Sequence, residues 1–214
     1  MDGVILDSNP AHREAWVRFN RGFGLDTTEA MFQFMYGKRN DEIVRHFFGG
    51  GLTAEEVARR GADKERLYRE IAAGKVETML TPGLRAFLDR HAGTPMAIAS
   101  NAEPANVEFV LRESGLAPYF RAIVDGGQVS RPKPFPDVYL RAAELIETPP
   151  SRAIVFEDSR SGVEAARAAG MKVVGIGSTH RELPGAELMI ADFLSGELES
   201  WLKSEAHGDS EPRG

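Results

Sequence analysis

Met1-Asp2-Gly3-Val4-Ile5-Leu6-Asp7-Ser8-Asn9-Pro10 begins the chain with an acidic residue, a glycine and a short apolar run, with no strand in front of them. Apolar runs of this kind belong inside a domain, so the stretch reads as a loop cut in half. Its reading predicts that a strand and the first residue of the loop precede Met1. Beyond the loop the apolar residues recur at helical spacing: Ala15, Trp16, Phe19 and Phe23, then Met31, Phe32 and Met35, then Ile43, Val44, Phe47 and Phe48. Thr53-Ala54-Glu55-Glu56 has the spacing of a capping box and predicts a fourth helix through Val57, Leu67 and Ile71. Residues 10–79 therefore read as an all-helical bundle.

After Leu80-Thr81-Pro82-Gly83 the pattern changes to short apolar runs alternating with amphipathic stretches, the pattern of βαβ units building a parallel sheet. Strands are predicted at Met96 to Ala99, Ala122 to Val124, Ala153 to Phe156, Val173 to Gly175 and Leu188 to Ile190. Helices are predicted at Ala105 to Ser114, Asp137 to Ile146 and Val163 to Ala169, with Gly115 and Gly170 closing the first and last. The fold class is α/β: a Rossmann-like parallel-sheet core of residues 1–9 and 80–204 with its first strand missing, an inserted helical cap of residues 10–79, and a disordered polar tail of residues 205–214.

Composition narrows the chemistry. The 214 residues are 42% hydrophobic and 27% charged, and no apolar run approaches the roughly 20 residues of a bilayer helix. A secretory signal is not visible, which makes the cytoplasm the expected location. Cysteine is absent, excluding disulfides, thiolate nucleophiles and cysteine-ligated zinc. With 26 basic against 32 acidic residues and no basic run interleaved with aromatics, nucleic acid is not an expected partner, and neither is a membrane. The polar clusters Ser100-Asn101, Lys133 and Glu157-Asp158-Ser159 each follow a predicted strand, where open α/β sheets place their ligands. Ser178-Thr179-His180 is no hydrolase triad, because no Gly-X-Ser-X-Gly elbow accompanies it.

In this order the motifs resemble those of the haloacid dehalogenase superfamily, in the subgroup with a helical cap after the first strand. Met1-Asp2-Gly3-Val4 is similar to the last four positions of its first motif and Ile98-Ala99-Ser100-Asn101 to its second. Lys133-Pro134-Phe135-Pro136-Asp137 is similar to the third, and Val155-Phe156-Glu157-Asp158-Ser159 through Gly162 to Gly170-Met171 to the fourth. The resemblance implies Asp2 as general acid and base, Ser100 and Lys133 as catalytic phosphate-binding residues, and Asn101 beside them. It implies Mg²⁺ held by Glu157, Asp158 and the backbone carbonyl of Asp2. His12 resembles the hinge histidine of β-phosphoglucomutase-like members, and Gly37-Lys38-Arg39-Asn40 is the candidate substrate turn of the cap, with Lys38 and Arg39 as contacts.

The implied activity is Mg²⁺-dependent hydrolysis of a small phosphorylated metabolite through an aspartyl-phosphate, by a monomer or weak dimer. The nucleophile of that motif falls immediately before Met1. A β-phosphoglucomutase-like isomerase and a metal-free dehalogenase stay open, as does a non-catalytic binding protein if the chain starts at Met1. That last form leaves a slot in the sheet, with unpaired backbone groups costing about 1–3 kcal/mol each where buried.

Overall fold

Apolar spacing of three and four residues produces helices through the first third of the chain, in a computed structural model that describes residues 1–35 and 38–208. Helix α1 (Asn9–Arg21) buries Ala11, Ala15, Trp16 and Phe19, with Pro10 in the first turn, where a missing amide costs nothing. Helices α2 (Glu29–Met35), α3 (Asn40–Phe48) and α4 (Ala54–Ala72) bury Phe32 and Met35, Ile43 and Val44, and Val57 against Trp16 and Phe19. The helical part thus has an apolar core of its own. The capping box is formed: Glu56 N donates to Thr53 Oγ1 at 3.2 Å and Thr53 N to Glu56 Oε2 at 2.8 Å, a cap worth roughly 1 kcal/mol.

Two short helices, α5 (Val76–Met79) and α6 (Leu84–Arg90), carry the chain back. The outgoing and returning connectors lie side by side. Asp7 N donates to Met79 O at 2.8 Å, Thr81 N to Ile5 O at 3.0 Å, and Thr81 Oγ1 to Val4 O at 2.7 Å.

The second part alternates as its sequence predicts through β1 (Ala97–Ala99), α7 (Pro104–Ser114), β2 (Ala122–Val124), α8 (Asp137–Leu145), β3 (Ile154–Glu157), α9 (Arg160–Ala168), β4 (Lys172–Ile176) and β5 (Leu188–Ile190), and it ends in a helix the sequence reading does not predict, α10 (Gly196–Gly208). Gly115, at φ +66°, ends α7 in the left-handed conformation glycine adopts without strain. β1 and β2 pair in parallel with Ile98 opposite Ile123, and β3, β4 and β5 form a second parallel sheet with Val155 opposite Val173 and Gly175 opposite Met189. No ladder joins the two sheets among the described residues. Helix α8 bridges them, packing on β1 and β2 and touching α9.

Strand periodicity of two sorts the core into two faces. Ile98, Val174 and Ile176 join Val4, Ile5, Leu6, Phe87 and Val110 on one side, while Val155 and Val173 join Val138 and Val163 on the other. The N-terminal apolar run is therefore core.

Several strand and helix ends lie one to three residues from their predicted positions, and the C-terminal tail differs in kind. Residues 205–208, expected as the start of a disordered tail, belong to α10. Leu198 is buried, and Trp201 and Leu202 pack against the same core, so anchored turns propagate the helix onward. The remainder of that tail and Gly37 of the cap turn lie outside the described residues. Among the described residues no helix is long and apolar enough to cross a membrane.

Candidate active site

The carboxyl ends of β1, β2 and β3 carry the polar residues. Ser100 follows β1, Lys133 lies in the loop between β2 and α8, and Glu157 closes β3. Lys133 is stiffened by Pro132 and Pro134 and held through its backbone, whose N–H donates to Asn101 Oδ1 at 3.4 Å. Its ammonium donates to Glu157 Oε1 at 2.6 Å and Ala99 O at 3.3 Å, and stands 4.6 Å over the Tyr139 ring. This one side chain ties the end of β1 to the end of β3.

Glu157 has no oxygen to spare. Oε1 accepts from Lys133 and from the Tyr139 hydroxyl at 2.9 Å, and Oε2 accepts from the amides of Asp158 and Ser159, both at 2.8 Å, and from Ser159 Oγ at 3.0 Å. A carboxylate offers roughly four lone-pair sites, so these donors exhaust it. Burial alone would raise its pKa, yet the Lys133 charge and hydrogen bond and the Ser159 amide bring it down to about 2. Gly162 lets the helix approach, since a Cβ there would stand 2.0 Å from Glu157 Cδ. The sequence reading groups Asp2, Glu157 and Asp158 as metal ligands; in this structure Glu157 is the ion-pair partner of Lys133 and both its oxygens accept hydrogen bonds. Among the described residues no three His, Asp or Glu side chains gather as a metal cluster.

Asp158 differs sharply from its neighbour. Among the described residues its carboxylate makes no ion pair within 4 Å, with the amino terminus and Lys133 acting on it from farther away, and its side-chain hydrogen bond comes from the Thr179 hydroxyl on Oδ2. Burial and the adjacent Glu157 charge raise its pKa to about 7, against the pull of Thr179. It rests on Gly3, where φ is +68° and a Cβ would come 2.0 Å from Asp158 Oδ2. A shielded acid without a close ion pair, beside the Asp2-Gly3 backbone, is a donor set suited to Mg²⁺, which takes one or two carboxylates and fills its shell with water and phosphate oxygens.

Asp2 is held from the helical side. Ser8 Oγ donates to its Oδ1 at 2.6 Å and His12 Nε2 lies 3.6 Å from the same oxygen. Burial would raise its pKa; the His12 ring N–H facing it, the amino-terminal charge and the Ser8 hydrogen bond outweigh that and keep the carboxyl well below the usual range. His12 stacks on Tyr68, ring centroids 3.8 Å apart and 7° from parallel, and its Nδ1 lies 3.2 Å from Lys64 Nζ. An ammonium only donates, so Nδ1 is the acceptor and Nε2 carries the proton toward Asp2. Lys64 and Glu65 form a buried ion pair at 2.5 Å. Glu65 also accepts from Asn40 at 2.6 Å and from Asn106 of α7 at 2.7 Å, which joins α4 to the sheet part.

Asp2, His12, Lys38, Arg39, Ser100, Asn101, Lys133, Glu157 and Asp158 line one cavity of about 570 Å³ between the helices and the sheet ends. Ser100 Oγ accepts from Ala102 N at 3.1 Å; the α7 N-cap is Glu103, so Ser100 does not cap that helix. Lys38 Nζ lies 3.6 Å from Glu42 and Arg39 Nε 3.4 Å from Asp41, at the cavity's helical wall. Sequence reasoning missed Ser8, Lys64, Glu65, Asn106 and Thr179. Lys64 and Glu65 sit in the polar run Ala58-Arg59-Arg60-Gly61-Ala62-Asp63-Lys64-Glu65-Arg66, which reads as a solvated face.

Residues 1–170 match the family model described as haloacid dehalogenase-like hydrolase. A fructose-1-phosphate phosphatase (YqaB) of Escherichia coli is 32% identical over 179 residues, 82% of this chain and 93% of that protein. The β-phosphoglucomutase of Bacillus subtilis is 28% identical over 198 residues, 89% of this chain and 86% of its own. Among solved structures, a β-phosphoglucomutase from Clostridium difficile superposes with a TM-score of 0.86 at 23% identity, covering 98% of this chain and 96% of that one, a likeness of fold. With its motifs gathered on one cavity and four-fifths of its length within the family model, this chain is an enzyme of the haloacid dehalogenase-like hydrolase family.

Proposed function

We propose that this hydrolase releases phosphate from a small phosphorylated metabolite, in the class of sugar phosphates, with Mg²⁺ at Asp158 and the Asp2 backbone carbonyl. The carrying observation is the convergence of Lys133, Ser100, Asp2 and Asp158 on one cavity under the helical part. Phosphoryl transfer spreads negative charge over the transferring oxygens, and fixed donors aimed at them supply most of the catalysis. Lys133, immobilised by Glu157 and Ala99, offers a positioned charge; Ser100 and nearby amides offer hydrogen bonds. Mg²⁺, when bound, neutralises the phosphate and orients it for in-line attack. Asp2, kept ionised by His12 and Ser8, is set as the base that takes a proton from water. Its service as acid toward the leaving group requires a proton that those contacts resist, so His12 and Ser8 must loosen when substrate enters.

In this proposal the nucleophile is a carboxylate two positions before Asp2, ahead of Met1, on a strand that would fill the division between β1 and β3. Residues 10–79 serve as a cap over the phosphate, with Lys38 and Arg39 contacting the rest of the substrate. The test is to assay the 214-residue protein and a form extended by its upstream codons on a panel of sugar phosphates. Mg²⁺-dependent release of phosphate by the extended form, lost on Asp2→Asn, supports the proposal. Isomerised sugar phosphate without phosphate release would replace it with a mutase, and no turnover by the extended form would contradict it.

A further inference from the structure

The Ser178-Thr179-His180 run, which sequence alone leaves without a role, follows β4 and lies against both halves of the site. Ser178 Oγ donates to the carbonyl of Gly3 at 2.5 Å. Thr179 donates its hydroxyl to Asp158 Oδ2 and accepts at Oγ1 from the side-chain amide of Asn9 at 3.0 Å. A hydroxyl has one proton and two lone pairs. With Asn9 on a lone pair, the proton of Thr179 is directed at Asp158, and Asp158 Oδ1 has no protein donor among the described residues.

Asn9 is the first residue of α1, one turn before His12, whose Nε2 lies 3.6 Å from Asp2 Oδ1. The first turn of α1 therefore holds both acids of the site: Asp2 through His12, and Asp158 through Thr179. Helix α1 is also the element by which the chain enters the helical part.

Resting on the hydrolase reading above, we propose that Thr179 and Asn9 are positioning residues, a relay of two hydrogen bonds that fixes Asp158 for the divalent cation and ties its orientation to α1. Thr179 commits Oδ2 to the protein and leaves Oδ1 for the cation. Asn9 holds the Thr179 hydroxyl in that sense, so displacement of α1 with the helical part releases Asp158. Partners that orient a ligand in this way change metal affinity roughly 10–100-fold when removed.

The experiment measures Mg²⁺ by titration calorimetry, and Mn²⁺ by electron paramagnetic resonance, on the 214-residue protein and on Thr179→Val, Thr179→Ser, Asn9→Ala and Asp158→Asn, with far-UV circular dichroism as the folding check. The relay predicts affinity weakened roughly 10-fold or more in Thr179→Val and severalfold in Asn9→Ala, and restored to near the parent in Thr179→Ser, which keeps the hydroxyl. Thr179→Val binding within twofold of the parent, while Asp158→Asn does not bind, overturns the relay and leaves the metal reading standing. Equal losses in Thr179→Val and Thr179→Ser assign the effect to packing and also overturn it. Asp158→Asn binding like the parent, or a parent that binds neither ion at millimolar concentration, sinks the metal reading itself and the relay with it.

Discussion

Lys133 Nζ lies 2.6 Å from Glu157 Oε1, and this buried ion pair joins the loop after β2 to the end of β3, two strands that share no backbone ladder among the described residues. The pair serves the structure and the chemistry together. Removing one partner leaves a buried charge uncompensated, which costs about 3–5 kcal/mol. Lys133→Met and Glu157→Gln are each expected to lower the unfolding free energy obtained from urea denaturation by an amount in that range. The double variant is expected to lose less than the sum, because neither charge is then stranded. Additive losses in the double-mutant cycle would show that the two side chains act independently.

Consecutive acids at this site are pushed in opposite directions, Glu157 down to about 2 by Lys133 and Asp158 up to about 7 by burial and the Glu157 charge. Glu157 is depressed in the folded state, so its contribution is present above its ordinary value and is lost as pH falls from about 4.5 toward 2. Asp158 is raised, so the folded state holds a proton that the unfolded chain gives up near pH 4. Stability from that source is present below pH 4 and is lost as pH climbs to about 7. Without divalent cation, denaturation is expected to show stability falling by a few kcal/mol between pH 4 and 7, and Asp158→Asn is expected to flatten that limb. Mg²⁺ competes with the proton, so it is expected to raise Tm more at pH 8 than at pH 5.5. Equal Tm shifts at both pH values would contradict this assignment of Asp158.

Gly3 is required twice, by a φ of +68° and by Asp158, whose Oδ2 stands 2.0 Å from where a Cβ would be. Gly3→Ala is expected to cost about 1–3 kcal/mol in backbone strain and displacement and to weaken Mg²⁺ binding along with Asp158→Asn. Stability and cation affinity near the parent's in Gly3→Ala would mean that the loop is looser than described.

The link between α4 and the sheet part runs through Asn106, which donates to Glu65 at 2.7 Å and accepts from Arg69 at 2.7 Å. Asn106→Leu leaves Glu65 and Arg69 short of a partner, a cost of about 1–3 kcal/mol. Limited proteolysis is expected to cut this variant faster between residues 72 and 84, where the chain returns from the helical part. An unchanged cleavage rate would show that the contact does not restrain the two parts.

Much of this was legible in the sequence because local rules and tertiary packing agree. Thr53 and Glu56 form the capping box their spacing implies, and the runs at residues 122–124 and 188–190 become strands with the predicted ends. Helix α6 was missed although Leu84, Phe87 and Leu88 have helical spacing, because seven residues give too few repeats to separate helix from loop. At the site, strand ends located Ser100, Lys133 and Asp158. Roles within an acidic pair were not readable, since it takes the position of Lys133, 24 residues earlier, to decide that Glu157 is an ion-pair partner. Thr179, 21 residues after Asp158 in a polar loop, reads as an ordinary surface hydroxyl until the fold brings the two together. Lys64 and Glu65 hide in a charged helix because each neutralises the other's burial.

The central claim is that Lys133 and Asp158 address one phosphate anion, the second through a divalent cation. The most direct measurement is calorimetric titration of inorganic phosphate into the 214-residue protein, with and without millimolar Mg²⁺, beside Lys133→Met and Asp158→Asn. The account predicts binding that Mg²⁺ strengthens, that Lys133→Met abolishes under both conditions, and that Asp158→Asn reduces to the Mg²⁺-free level. Phosphate binding indifferent to Mg²⁺ and to both substitutions would contradict it.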